Sequence, residues 1–415
     1  MKVDIRPAVF ITGADSPTGL TTARALNGMP LDIVGVAQNL SAPTCQSKIW
    51  DKILFIPGDA SQQIDELLLL GRERNRPTET VMLFSQDSLV IEASNRIDEL
   101  REYFQVPIPE ADIVNVLMDK TEFHHWATRH GFSIPFSLIA ESENDVLEVA
   151  KEFEYPCILK PLVRTPKWDE CYPNQKFYSI ESYQELLKVF HSEDPFSVCE
   201  RYLLQQWIPG SDDNVLFVLF VVATNGKILK RVGGQKIWQW PPLGGSTALC
   251  RTCNDPKMLE EAEAVIKQSG VIGLASVEFK RHPVSKTLFI TEPTVGRNDY
   301  QSGLACGTDR NPTRLLVESI LGGPQLNSNG STASVERNED YTAIWIDEIS
   351  CLRRIRYLGV IRSILQLLKV LKVGPKFRFL WWQPSDWQPL KQSFSSLTWS
   401  RRRNKPINIS FGLEE

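Results

Sequence analysis

The sequence predicts a protein of mixed α/β and α+β class, built in three pieces. Two observations carry this. From residue 8 to about 104, short apolar runs alternate with helical patterns, as in a parallel α/β sheet. Further on, hairpins and helices follow one another, and a polar Ser/Asn/Gly-rich stretch at 324–340 sets off a last strand and an amphipathic helix. The expected pieces are 1–112, 113–325 and 326–415. A chain of 415 residues has room for two or three domains.

Each element has its own signal. "AVFITGADSPTGLTTARAL" (8–26) reads strand, Gly-rich turn, helix, and "LDIVGVAQN" is the next strand. "KILFIPG" and "TVMLFSQDS" are further strands, with helices at 61–70 and 88–104. A helix from about 119 to 130 stops at Gly131, and a strand begins near Pro135. "ENDVLEVAKEF" and "SYQELLKVF" are helices on either side of the strand "YPCILKPL". "ERYLLQQWIPG" is a strand and turn, and "TNGK" turns the hairpin after it. "GGQKIWQWPPLGGSTALC" (233–250) reads as a flexible loop rich in free N–H groups, to which Lys236 adds charge. Asp255, Pro256 and Gly270 cap, start and end a helix. "PTRLLVESILGG" closes the second piece, "YTAIWIDEI" is a strand, and 351–373 is a single basic amphipathic helix.

Composition narrows the function. The chain is 42% hydrophobic and 23% charged with a formal net charge of -4, which suits an ordinary soluble protein and gives no sign of nucleic acid. No stretch has the length of a membrane span, and "MKVDIRPAVFITG" reads as a strand, not a signal peptide. Eight scattered Cys fit reduced thiols, so a cytoplasmic location is expected. Between Arg353 and Arg403 Asp386 is the only acid, so the C-terminal end is basic.

Chemistry concentrates at "GLASVEFK" and "LFITEPTVGRND". Two strands joined by "RHPVSK" would set Glu278 beside Glu292. Like charges that close repel unless a cation lies between them, and Mg²⁺ takes such oxygen ligands along with phosphates and water. The bland alternative is two surface acids on a polar face. Lys160, inside "CILKPL", would snorkel to a strand end or meet a phosphate. Lys120 starts a helix, where a bound anion is favoured. "LLQQWIPGSDDN" could pair its backbone with an adenine edge and offer an acid to ribose hydroxyls, or be a plain strand and turn.

Taken in this order, "MDKTEF", "ILKP", "QQWIPGSDDN" and "EPTVGRND" resemble the ATP-grasp carboxylate–amine ligases, near the D-aspartate ligase and carbamoyl-phosphate synthetase groups, over about residues 8–325. The resemblance implies a pre-ATP-grasp α/β domain, a two-lobed ATP-grasp domain and a C-terminal α+β extension. It implies ATP with Mg²⁺ (or Mn²⁺), and a small-molecule carboxylate joined to an amine, or less readily a thiol, through an acyl phosphate. Lys120 and Lys160 would contact ATP, the backbone from Gln205 through Gln206 and Trp207 to Ile208 would read adenine, and Asp212 or Asp213 would hold the ribose. Glu278 and Glu292 would ligate the metal, with Asn298 a further candidate. Arg297 and Lys236 would serve catalysis, and Gly244, Gly245 and Ser246 would lie near the acceptor carboxylate. Thr294 stands where many members carry Asn.

Other signals stay open as rivals. "TGADSPTG" is close to a dinucleotide fingerprint, but Ser16 stands where the middle Gly belongs, so an NAD(P)-dependent oxidoreductase is one alternative. The basic helix 351–373 could lie on an anionic membrane surface, as in a non-catalytic ATP-binding or membrane-associated scaffold. A homodimer is a further possibility. Cys250 and Cys253 have no partner pair for zinc, and His124, His125 and His130 read as a solvated helix face.

Overall fold

The computed structural model describes residues 6–163, 165–172, 177–306, 311–322, 342–360 and 376–396. Its first sheet is parallel, with β1 (Ala8–Thr12), β2 (Asp32–Ala37), β3 (Lys52–Phe55) and β4 (Thr80–Leu83) in the order β3-β2-β1-β4. Helices Pro17–Ala25, Ala60–Arg74 and Asp87–Asn95 connect or follow these strands. Ser16 caps the first helix, its hydroxyl accepting from the Gly19 N–H.

The second sheet is a small antiparallel lobe: β5 (Ser137–Ala140), β6 (Cys157–Pro161), β7 (Tyr178–Ile180) and β8 (Tyr202–Gln206), ordered β5-β8-β6-β7. Helices Glu143–Ala150 and Tyr183–Glu193 cover it, and Trp168, Tyr178 and Tyr202 fill a core of its own.

The third sheet is the largest. It contains β9 (Val215–Val222), β10 (Ile228–Trp240), β11 (Ser246–Thr252), β12 (Gly273–Arg281), β13 (Leu288–Val295), β14 (Ala343–Ile346) and β15 (Lys376–Phe379), in the order β13-β12-β9-β10-β11-β14-β15. Every residue of β9 is buried, as its unbroken apolar run VLFVLFVV requires of a central strand. Helix Pro256–Ser269 packs beneath it with the predicted Asp255 cap and Gly270 stop. The first and third sheets share one hydrophobic cluster, which includes Phe10, Phe104, Val218 and Phe220. The antiparallel lobe, with its separate core, stands over the face they build.

Two elements differ from expectation. The stretch 233–250 is mostly strand: β10 runs to Trp240, and only 241–245 turn before β11. Its glycines serve close packing, since a Cβ on Gly234 would lie 2.2 Å from the Phe217 ring. Nor is 351–373 a single helix. The helix is Glu348–Leu358, stopped by Gly359 at φ 88°, and 361–375 lie outside the described residues, as does the expected linker at 324–340. Ile349, Cys351 and Arg354 are buried against the β10–β11 hairpin, so this part of the expected membrane face is taken by the protein itself. Among the described residues, no helix is long and apolar enough to cross a membrane.

The C-terminal segment extends the third sheet. β14 pairs antiparallel with β11, and β15 pairs parallel with β14. It then returns to the first sheet. There Asp386 accepts from Arg24 Nη2 at 2.8 Å, from the Ser47 hydroxyl at 2.5 Å and from the Lys48 N–H at 3.1 Å. Arg24 Nη1 also donates to the Leu380 carbonyl at 2.5 Å.

Candidate active site

The site begins at the β12–β13 hairpin. Glu278 and Glu292 are direct partners in register, and the ladder shifts just after them. A third acid, Asp299, lies in the loop after β13. It accepts from the Ser276 hydroxyl at 2.9 Å, the Gln301 amide at 2.8 Å and the Tyr300 N–H at 2.7 Å. Glu292 opens on the cleft, yet the walls around it strip solvent, and the charges of Glu278 and Asp299 add to this. Together they raise its pKa above the ordinary 4.5. Burial, then the charge of Glu278, raises Asp299 in the same way.

Cations surround the acids. Lys236, buried on β10, sits 2.6 Å from the Glu278 carboxylate; burial opposes its charge, but Glu278, Asp299 and Glu292 together outweigh this and its pKa stands above 10.5. Lys160 donates to Gln205 Oε1 at 2.9 Å, and Lys120 to the Leu162 carbonyl at 2.8 Å. Arg297 pairs with Asp87 of the first sheet's third helix and donates to the Asn298 carbonyl at 3.0 Å.

These groups line two cavities that share Pro135, Lys160, Gln205, Thr291 and Glu292. The larger, about 330 Å³, lies between the lobe and the third sheet. Ile158, Phe177, Trp207 and Leu243 give it an apolar wall next to the β8 hinge, and Lys236, Glu278 and Asp299 line its far side. The smaller, about 190 Å³, faces the first sheet and holds Lys120, Asp87 and Arg297.

No known family profile matches the chain. Over 258 residues it is 23% identical to the D-aspartate ligase of Enterococcus faecium (strain Aus0004); the aligned part is 60% of this chain and 61% of that protein. The chain therefore spans about three fifths of this curated relative's length. Among solved structures, an ADP complex of N5-carboxyaminoimidazole ribonucleotide synthetase superposes with a TM-score of 0.58 at 12% identity, covering 78% of this chain and 80% of the other. The synthetase of the same name from Thermus thermophilus gives 0.55 at 17% identity, covering 76% and 79%. The Campylobacter jejuni biotin carboxylase complex with a β-γ-ATP ligand gives 0.57 at 14%, covering 76% and 71%.

The fold is ATP-grasp.

Within the ATP-grasp fold, the structure gathers most of the expected residues. Lys120, Lys160, Gln205, Gln206, Trp207, Ile208, Lys236, Glu278, Glu292, Arg297 and the turn Gly244–Gly245–Ser246 all line the two cavities. At the hinge, the Gln206 N–H is bonded to the Phe136 carbonyl at 2.8 Å and the Trp207 N–H to the Pro156 carbonyl at 3.2 Å. Both donors are therefore held by the lobe.

Three expected residues lie elsewhere. Asn298 is buried, and its amide donates to the Thr22 and Thr313 hydroxyls, both at 2.9 Å, so it faces helices Pro17–Ala25 and Pro312–Leu321 and not the acids. Asp212 is buried as well. It accepts from the N–H groups of Gln239 (2.9 Å) and Leu243 (2.7 Å) and pairs with Arg354 at 2.7 Å, which leaves no place for a ribose. Asp213 is exposed, takes the Ser211 hydroxyl at 2.5 Å and lines neither cavity.

Two residues take places the sequence reading gave to others. Asp299, next to Asn298, is the acid that faces Glu278. Lys280 lies two residues after Glu278 on β12, a spacing that puts both on one face. It is buried in the larger cavity, donates to the carbonyls of Gly210 (2.8 Å) and Ser211 (3.1 Å), and lies 5.5 Å from the Trp207 ring centroid.

The acids suit a divalent cation in donor type, since carboxylate oxygens are what Mg²⁺ and Mn²⁺ take. Among the described residues, no three such side chains are drawn together at ligating distance, and Lys236 holds Glu278. Repulsion on Glu292 is the feature that a cation would relieve. The fingerprint-like turn of the first sheet shows a different use. Asp15 there accepts from the Gln38 and Asn39 N–H groups at 2.9 Å each, placing a negative charge at the strand ends.

Proposed function

We propose that this chain is an ADP-forming ligase that joins a carboxylate to an amine through an acyl phosphate. The observation that carries the reading is the pair Glu278 and Glu292, opposed on a hairpin and ringed by Lys160, Lys236 and Arg297, in a cleft between a separate lobe and the main sheet. The D-aspartate ligase relative and the nucleotide complexes of this fold support it.

Ile158, Phe177 and Trp207 would enclose the adenine, with the hinge backbone at and beyond Gln206 reading its edge. Lys120, Lys160, Lys236 and Lys280 would hold the phosphates. Glu278 and Glu292 would hold Mg²⁺ or Mn²⁺, which supplies charge neutralisation on the phosphate oxygens when bound. A substrate carboxylate oxygen attacks the γ-phosphorus and ADP leaves. The amine, or a thiol, then attacks the acyl carbon and phosphate leaves, so no protein nucleophile is required. Arg297, held by Asp87, would steady the transferred phosphoryl group, and Gly244–Ser246 would border the acceptor. The expected divisions at 112 and 325 would separate a positioning domain, the grasp domain and the C-terminal extension. The location would be the cytoplasm and the working form a homodimer.

The test is to incubate the full chain with Mg–ATP, hydroxylamine and a panel of carboxylic acids. Hydroxylamine traps an acyl phosphate as a hydroxamate whatever the natural amine. Hydroxamate formed in step with ADP for one class of acid supports the reading. ADP release that no acid stimulates, with no hydroxamate, overturns it.

Lys280 adds a pH signature. Burial lowers its pKa to about 8, so its ammonium is lost as pH rises through that value. Nucleotide affinity, read by calorimetry, is expected to weaken between pH 7 and 9. Lys280→Met should start roughly ten-fold weaker and lose that dependence.

A further inference from the structure

A second cavity, of about 250 Å³, lies away from the cleft, where the C-terminal strand meets the first domain. Helix Pro17–Ala25, the 3-10 turn Ser302–Ala305, β14, β15 and the segment after it all contribute to its lining. Two of its residues are arginines, Arg24 and Arg378, and in both the Nε–H is buried with no acceptor. Arg24 is already neutralised by Asp386, whereas Arg378 has no carboxylate partner among the described residues. The remaining walls are largely aromatic, with Trp345, Phe377, Phe379 and Trp382. Cys306 also lines the cavity, and burial pushes its thiol up to about 12, so it is neutral and adds no competing charge.

Among the described residues, the lining offers guanidinium donors and flat apolar faces, with the Thr21 hydroxyl and the Gln383 amide beside them. What complements the lining is an acceptor of negative charge attached to an apolar body. A guanidinium edge takes a carboxylate well, and its plane stacks on rings. The mouth supports entry, since Phe377 and Trp382 remain 44% and 41% exposed.

We propose that this cavity is a second ligand site, for a small organic acid with a flat apolar body, its carboxylate taken by the terminal N–H groups of Arg378 and its body held between the aromatic rings. The site is separate from the nucleotide cleft but abuts it from behind. Trp345 meets Tyr300 edge-on at 5.5 Å, and Tyr300 lines the larger cavity beside Asp299.

The probes are benzoate and indole-3-carboxylate, titrated into the full chain by calorimetry. Benzyl alcohol and acetate each supply half of the required chemistry. One acid at least should bind saturably at one site per chain, and each half should bind at least about ten-fold more weakly. Mg–ATP at saturation should leave the acid bound. Arg378→Gln should weaken the acid about ten-fold with an unchanged melting temperature, and Arg378→Lys, which keeps the charge and loses the planar pair of terminal N–H groups, should fall between. Three results would overturn the site: no saturable binding by either acid, binding unaffected by both Arg378 variants, or displacement by Mg–ATP.

Discussion

Glu292→Gln is expected to make the free protein more stable at neutral pH while removing both the stabilisation by Mg–ATP and the release of ADP. The two effects have one cause. In the free protein Glu292 carries a charge opposed by desolvation and by Glu278 and Asp299, and its pKa stands above 4.5. The folded state therefore binds the proton more tightly than the unfolded chain does. Below pH 4.5 the group is protonated in both states and costs nothing; as pH climbs through the raised pKa, the folded state alone bears the strain. Glutamine removes that strain, so the variant's advantage should be small near pH 4 and open by pH 7.5. With nucleotide and metal the sign reverses, because the lost oxygen is one that the cation would use. Loss of turnover by at least about a hundred-fold is expected, comparable to removing one preorganised group from a charged transition state. Scanning calorimetry at the two pH values, with and without Mg–ATP, reads both effects. A variant that still releases ADP at a near-normal rate would end the metal assignment.

Asp212→Asn should instead unfold the protein more easily, by about 3–5 kcal/mol, the usual cost of stranding one member of a buried ion pair. Arg354 would lose its carboxylate inside the protein, where both side chains are less than a tenth exposed. The turn 241–245 would also lose its tether, since Asp212 accepts from the N–H groups of Gln239 just before it and Leu243 within it. Had Asp212 been a ribose ligand, the same change would weaken nucleotide binding and spare stability. Urea unfolding beside an ATP titration separates the two. The double change with Arg354→Met is expected to recover part of the loss, because Arg354 also covers the Trp238 ring at 5.6 Å and donates to the Gln239 carbonyl at 2.8 Å.

Asp212 also shows where reading the sequence stops. The paired acids were legible because a hairpin is local: two alternating runs and a short polar turn set Glu278 against Glu292 with no knowledge of the rest of the chain. The helix after Asp255 was legible for the same reason, with cap, Pro and Gly all within its own span. Asp212 was not, because its decisive partner is 142 residues further along, on a helix whose basic face suggested membrane. Asn298 and Asp299 stand side by side as polar residues, and only the Thr22 and Thr313 hydroxyls decide which of them turns away from the acids. The glycines of 233–250 suggested flexibility, when the need they meet is close packing, as where Gly234 leaves room for the Phe217 ring. In each case the missing information lay in a residue distant in sequence.

The pairing of β14 and β15 onto β11 has a consequence for how the molecule is made. A ribosome that has released the chain as far as residue 306 has produced both walls of the cleft, but the sheet still ends at β11. Phe217, Leu219 and Cys250 then lack Trp345 and Leu380, which complete their cluster. The Arg24 side chain has no Asp386, and the face it occupies stays open until residue 386 emerges. The nascent protein thus passes through a stage with a bare sheet edge and uncovered apolar surface, the condition in which chains associate wrongly. Asp386, reaching back to Arg24, is the group that ends that exposure.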